Sequence, residues 1–279
     1  MKILLAVLLA LHFSTLSYAN DVSSYLQDIS VTIKSSGGTG SGVLLARKIR
    51  DKNDNDITVN FVWTAAHVIE NLRNVRTVLD SDGQTKKIVE FKDAEIVKKM
   101  IENGSTVGQI VVDAKVIKYS DAKDGQDLAL LMIRKLDFSP SSAKFHLDKE
   151  CKGLELGTQL YHVGSLLGEN GSNSMTTGIM SQVGRMVSLN NSNKILFDQT
   201  TVTAFPGSSG GGVFLTDGQY IGMLVRGAGE TFNLIVPMRR MTKWAEEENI
   251  MWALDDSIKP PSLENIEKLS VENLGKVEK

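Results

Sequence analysis

Short segments rich in branched and aromatic residues, each cut off by a turn signal, fill the chain from about residue 29 to residue 238. No other feature constrains the fold as much. "SVTIKS", "GVLLAR", "ITVNFVWTAA", "DAKVIKY", "DLALLMI", "QLYHVGS", "GIMSQVG", "ILFDQT" and "NLIVPM" all read as strands between Gly, Asp and Asn punctuation. The Asp-Gly pairs in "SDGQ" and "TDGQ" predict tight hairpin turns. Many short strands and few helical stretches predict an all-β barrel or sandwich protein.

Two segments break this rhythm. Residues 93–109, "DAEIVKKMIENGSTVGQ", have a polar, partly helical composition and predict an insertion between strands. Residues 239–252 carry Met241, Trp244, Ala245, Met251 and Trp252 at helical spacing, which predicts a C-terminal helix with one face on the barrel. Pro260 and Pro261 stop any continuation. The polar residues beyond them predict either a loosely attached tail or a short docking helix.

The N-terminus reads as a targeting segment. Lys2, the apolar run "ILLAVLLALHF" and the small residues of "SYA" predict a secretory signal cleaved after Ala19. The run is too short for a membrane span of roughly 20 residues. An exported chain with one cysteine, Cys151, has no internal disulfide, so its core alone must hold it. Hydrophobic content of 42% suffices for that. The lack of staples points to bacterial rather than animal export, into the periplasm or the medium. A net charge of −2 leaves no basic footprint for nucleic acid.

Within this framework "FPGSSGGGVF" (205–214) places two serines among glycines ahead of an apolar strand. A serine hydroxyl attacks a carbonyl only with a base in reach, an orienting group behind the base, and N–H donors aimed at the oxyanion. Glycines let backbone take angles closed to other residues and let a substrate approach the main chain. The loop therefore reads as a serine nucleophile supplying its own oxyanion donors. Of the four histidines, His12 leaves with the signal. His146 lies in a polar linker and reads as a surface residue; His162 alternates on a strand and reads as structural. His67, in "VWTAAHVI", follows an apolar strand and small residues that leave room for a ring and a substrate. Asp127, just ahead of "LALLMI", is a carboxylate drawn toward the interior. The order His67, Asp127, Ser209 is the one found with β-barrels.

These segments resemble the trypsin-like (chymotrypsin-fold) serine proteases, in particular their bacterial Deg/HtrA branch. "GTGSGVLL", "TAAHVIENL", "AKVIKYSDAKDGQDLALLMI" and "FDQTTVTAFPGSSGGGVFLTDGQYIGMLV" carry the resemblance, over roughly residues 37–240 with gaps. The resemblance implies two antiparallel six-stranded β-barrels, chymotrypsin-like, with a C-terminal helix. The implied parts are a signal peptide (1–19), an N-terminal barrel bearing His67 and Asp127 (20–138), a linker (139–155), a C-terminal barrel bearing Ser209 (156–238), the helix (239–254) and a polar tail (255–279). It selects Ser209 over Ser208, because the nucleophile follows Gly and one variable residue and precedes two glycines. It makes the Gly207 and Ser209 amides the oxyanion hole.

By the same resemblance Thr203 stands at the floor of the primary pocket, and Val225, Arg226 and Gly227 run beside the substrate backbone. A neutral Thr203 implies small or aliphatic side chains before the cut, with the Arg226 side chain in solvent. An inward Arg226 would favour acidic side chains instead. The implied activity is peptide-bond hydrolysis on polypeptide substrates, without cofactor or metal; a silent protease fold that only binds peptides or a partner is the alternative. Most of the branch has Asn where Ser208 stands. Too few residues follow Met241 for the PDZ domain usual in this branch, so neither activation through one nor the associated oligomeric cage is implied.

Overall fold

The structure, a computed structural model, describes residues 22–79, 85–102, 104–147, 153–188, 194–227 and 231–272. The predicted signal, the "SDGQ" turn and Cys151 lie outside the described residues. A helix α1 at 22–28 opens the described chain. Its Leu26 is fully buried, and Tyr25 donates its hydroxyl proton to the Ser142 carbonyl at 3.0 Å, tying α1 to the inter-barrel stretch.

Eight strands follow in the first half: β1 (Ser30–Ser35), β2 (Gly38–Arg50), β3 (Asp56–Thr64), β4 (Arg73–Leu79), β5 (Thr85–Phe91), β6 (Ala94–Glu102), β7 (Ser105–Ser120) and β8 (Leu128–Ile133). Six of them close a barrel in the order β1-β2-β3-β8-β7-β6, with every pairing antiparallel. β4 and β5 form a separate hairpin outside it. Between β3 and β4 lies the one-turn helix α2 (Ala66–Ile69).

The segment expected to be a partly helical insertion is β6 and the start of β7. Ile96, Val97, Met100 and Ile101 have a spacing that suits a helix face as well as a strand. Pairing decides between them: β6 bonds β1 on one side and β7 on the other, burying Ala94, Ile96 and Val97. Lys98 is buried with them and is paired to Asp28 at 2.7 Å and Ser139 Oγ at 2.9 Å.

The second half contains β9 (Lys144–Phe145), β10 (Gln159–Leu166), β11 (Gly171–Ser188), β12 (Lys194–Thr200), β13 (Gly212–Leu215), β14 (Gln219–Gly227) and β15 (Asn233–Pro237). The order β13-β10-β11-β12-β15-β14 is closed by β13 pairing β14, making a second six-stranded ring. β9 adds to it in parallel, on the outside of β14. The "TDGQ" turn joins β13 to β14 with Gly218 at φ +88°.

Helix α3 (Met238–Glu247) crosses back to the first barrel. Asn249, left-handed at φ +57°, ends it, and a 3₁₀ turn (Met251–Ala253) follows, so the helical stretch expected over 239–254 comes in two pieces. Trp244 meets Trp63 edge-on at 5.9 Å, Trp252 meets Phe61 at 4.9 Å, and the Trp63 indole donates to the Ala253 carbonyl. This cover explains why all six residues of β8 are apolar and buried: the sheet is enclosed on both faces.

The described part of the tail docks on the first barrel. Ile266, in α4 (Leu263–Glu267), is fully buried, Tyr119 donates its N–H to the Val271 carbonyl, and Arg73 grips the Glu272 carboxylate with two bonds of 2.9 Å.

Candidate active site

The loop 121–127 between β7 and β8 positions Asp127. Asp121 turns it by accepting the N–H groups of Lys123 and Asp124 on its carboxylate, and Gln126 donates its N–H to Ser120 Oγ. Asp127 then takes a left-handed backbone at φ +56°, its N–H given to the Asp121 carbonyl. The carboxylate ends up almost wholly buried, facing α2. Its Oδ1 accepts the backbone N–H of His67 at 3.1 Å, and its oxygens lie 3.0 and 2.9 Å from His67 Nδ1. A carboxylate acceptor at Nδ1 selects the tautomer with the proton there, which leaves Nε2 as a free base.

Burial pushes the Asp127 carboxyl up. The bonds from the His67 ring and backbone, with the Arg226 charge, outweigh burial and hold it below the usual carboxylate range.

His67 is the second residue of α2, close after β3 and behind the fully buried Ala65 and Ala66. It lines an open groove of about 450 Å³ together with Thr39, Asn71, Gly207 and Ser209. The structure thus brings His67, Asp127 and Ser209, separated in the chain, to one place between the two barrels.

The two serines of the glycine loop part ways. Ser208 is buried; its Oγ accepts the Phe205 N–H at 3.1 Å, and its own N–H returns to the Phe205 carbonyl. Ser209 lines the groove. Two glycines have no substitute here. Gly207 sits at φ +97°, and an added Cβ would lie 2.2 Å from the Ser165 carbonyl oxygen. Gly210 sits at φ +86°, and a Cβ there would lie 2.2 Å from the Ser41 carbonyl oxygen.

The loop's carbonyls are taken up inside. The Pro206 carbonyl accepts from Leu167 N–H and the Ser208 carbonyl from Gly211 N–H. In a trans peptide the N–H points opposite to the C=O, so the Gly207 and Ser209 amides are turned the other way. Among the described residues neither amide meets an acceptor. Ser41 of "GTGSGVLL" locks this arrangement: its Oγ donates to the Gly207 carbonyl at 2.7 Å and its N–H to the Ser209 carbonyl at 2.8 Å. Its motif was visible in the sequence, but its partners were not.

Ser209 also borders a second cavity of about 390 Å³, walled by Ala204, Phe205, Pro206, Val225, Arg226 and Gly227. Thr203, expected at a pocket floor, stands outside this wall. The barrel holds the chain there, with the Thr203 carbonyl bonded by Thr176 Oγ1 and the Val202 carbonyl by Asn233 Nδ2.

The Arg226 side chain, expected in solvent, is 39% exposed but leans back toward the site. Its Nη2 is 3.8 Å from Asp127 Oδ2, and its Nε is buried without a hydrogen-bond partner among the described residues. Attraction to the buried carboxylate is the physical reason.

His146 is half-buried rather than a free surface residue, with Nδ1 3.2 Å from Gln219 Oε1. His162 is structural, as its strand position predicts. Its ring is fully buried behind the serine loop, Nδ1 2.9 Å from the Gly212 carbonyl, and burial pulls its pKa from 6.5 down to about 4. The folded state therefore binds fewer protons than the unfolded one between those values. Stability is full above about pH 6.5 and falls as the pH drops toward about 4, by on the order of 3 kcal/mol in all. Urea melts at pH 7 and pH 4.5 measure this, and His162→Gln should remove most of the difference.

The trypsin-like peptidase domain profile matches residues 40–223, more than half of the 279-residue chain. "Serine protease Do-like HtrA" of Lactobacillus helveticus is 34% identical over 131 residues, 47% of this chain and 29% of that protein. The chain thus spans less than a third of the length of this curated relative. Among solved structures, the serine endoprotease from Yersinia pestis superposes with a TM-score of 0.55 at 18% identity, covering 82% of this chain and 65% of that one. Deg5 superposes with a TM-score of 0.56 at 19% identity, covering 86% and 97%. At those identities the superpositions establish the fold alone.

Proposed function

Since the chain belongs to the trypsin-like peptidase family, we propose that it is an endopeptidase of the Deg/HtrA type that cleaves polypeptides through His67, Asp127 and Ser209. The observation that carries this reading is the pairing of His67 with the buried Asp127 carboxylate at the groove that Ser209 lines. Ser209 Oγ attacks the scissile carbonyl while His67 Nε2 takes its proton. Asp127 keeps the ring in the required tautomer and balances the imidazolium. The Gly207 and Ser209 amides, turned away from internal acceptors, receive the oxyanion. His67 then protonates the leaving amine, and water repeats the sequence on the acyl-enzyme.

Labelling by a fluorophosphonate probe, lost in Ser209→Ala, tests the assignment. A folded wild-type protein that neither takes the label nor cuts unfolded polypeptide is instead a silent, peptide-binding fold.

For the residue before the cut we propose small or aliphatic side chains. The support is a wall of Ala204, Phe205, Pro206 and Val225, with no acidic group among its described lining residues to attract Lys or Arg. Arg226 favours a second reading, since it borders the same cavity with a buried Nε that has no partner among the described residues and that a substrate carboxylate could meet. Peptides differing only at that residue separate the two. Faster cleavage after Val or Ala supports the first, after Glu the second, and preference for Lys overturns both.

We propose export by the leader, residues 1–19, as the route to these substrates. No helix among the described residues is long and apolar enough to cross a membrane.

A further inference from the structure

Arg240, in the first turn of α3, spans the two barrels. Its Nη2 donates to the Gln126 carbonyl at 2.8 Å and its Nε to Gln126 Oε1 at 3.1 Å, both on the first barrel. Its Nη1 donates to the Leu196 carbonyl on β12 of the second at 2.9 Å, and the guanidinium lies over the Phe197 ring, 4.8 Å from its centre. We propose that Arg240 is a positioning residue for catalysis, pinning the peptide that sets the Asp127 backbone and thereby the His67 ring. The inference rests on the triad reading given above.

The argument is one of geometry. The Gln126 carbonyl belongs to the same peptide plane as the Asp127 N–H. Arg240 holds the carbonyl end of that plane, and the Asp121 carbonyl holds the N–H end at 3.1 Å. A planar peptide held at both ends cannot rotate, so the left-handed Asp127, a conformation unfavourable for a residue with a side chain, is kept in place from outside. The carboxylate is then fixed toward both His67 N–H groups. Because the same guanidinium bonds Leu196, the first barrel's Asp127 is located relative to the second barrel, which carries Ser209.

Burial pulls the Arg240 guanidinium down to about 10 against the pull of Asp127, so it is still cationic at neutral pH. A lysine supplies a point charge and cannot reproduce a planar fork with three acceptors. The neighbouring Arg239 does a different job. It grips the buried Asp198 of β12 with bonds of 2.8 and 2.5 Å and anchors α3 within its own barrel.

The test compares Arg240→Ala, Arg240→Lys and Arg239→Ala in the full chain. Misplacing a catalytic group by about 1 Å costs on the order of 100-fold. We expect Arg240→Ala to lower kcat by roughly 10- to 100-fold with KM within about twofold. Fluorophosphonate labelling should slow in parallel, and millimolar guanidinium should restore a large part of the rate. The downfield NMR signal of the His67 Nδ1 proton should move upfield or broaden. Arg239→Ala should lower Tm yet keep kcat when assayed well below it. If Arg240→Ala does not fold, Arg240→Lys is read in the same way, without the guanidinium arm. A folded Arg240 variant with wild-type kcat and an unmoved His67 signal overturns the inference. So does a loss matched by Arg239→Ala and untouched by guanidinium, which leaves Arg240 a merely structural role. Failure of the wild type itself to take the probe overturns the triad reading instead.

Discussion

Ser209→Ala should reduce peptide hydrolysis by on the order of 10⁴-fold or more, with the melting temperature and circular dichroism of the wild type. The size follows from the chemistry. Without the hydroxyl there is no acyl-enzyme, and His67 can only activate water at a position the groove was not shaped for. The fold should survive because Ser209 contributes its backbone, not its side chain, to the loop's internal bonds: its carbonyl accepts from Ser41 N–H, and alanine keeps that carbonyl. Ser208→Ala provides the contrast. It removes the Oγ that caps Phe205 N–H, so it should cost stability, by about 1 kcal/mol, before it costs chemistry. Steady-state rates and thermal melts on both variants decide the matter. Full activity in a folded Ser209→Ala protein would falsify the nucleophile assignment.

Asp127→Asn is expected to lower kcat by roughly 10⁴-fold while the site keeps its shape. The carboxylate accepts two N–H groups of His67, one from the ring and one from the backbone. An amide has a single oxygen for these, and its NH₂ group must point at one of them. With the oxygen on the backbone N–H, the NH₂ faces Nδ1 and forces the ring to carry its proton on Nε2. That nitrogen can then no longer take the proton of Ser209. Raising the pH does not restore the tautomer, so the loss should persist across the whole profile of kcat/KM. A loss that vanishes above neutral pH would show that Asp127 acts by charge alone.

Much of the site was legible in the chain itself. The glycines of "PGSSGG" mark two backbone positions that other residues cannot occupy, and the structure gives the reason at Gly207 and Gly210. The small residues before His67 are buried against the core, as a packed histidine requires. Reading Asp127 as inward-facing worked because β8 behind it is apolar on both faces. The pattern was misleading where a strand and a helix share a spacing, as at Ile96, Val97, Met100 and Ile101. It was also misleading for charged side chains. Arg226 reads as solvent-facing, yet it leans to within 3.8 Å of a buried carboxylate, and of the two readings of the tail the docked one fits its described part, where Arg73 grips Glu272. One local clue to Arg240 was present: two arginines in the first turn of a helix oppose its dipole, which points to partners outside the helix.

By itself the sequence determined the strand rhythm, the turn positions and the residue types able to perform acyl transfer, because these depend on neighbours a few residues apart. That Ser41 locks the serine loop, that Thr203 stands outside the pocket wall, and that two arginines converge on the Asp127 loop were decided only by tertiary structure. Those outcomes depend on which distant carbonyls and carboxylates come within about 3 to 4 Å, where hydrogen bonds and ion pairs act, and chain order carries no record of such meetings.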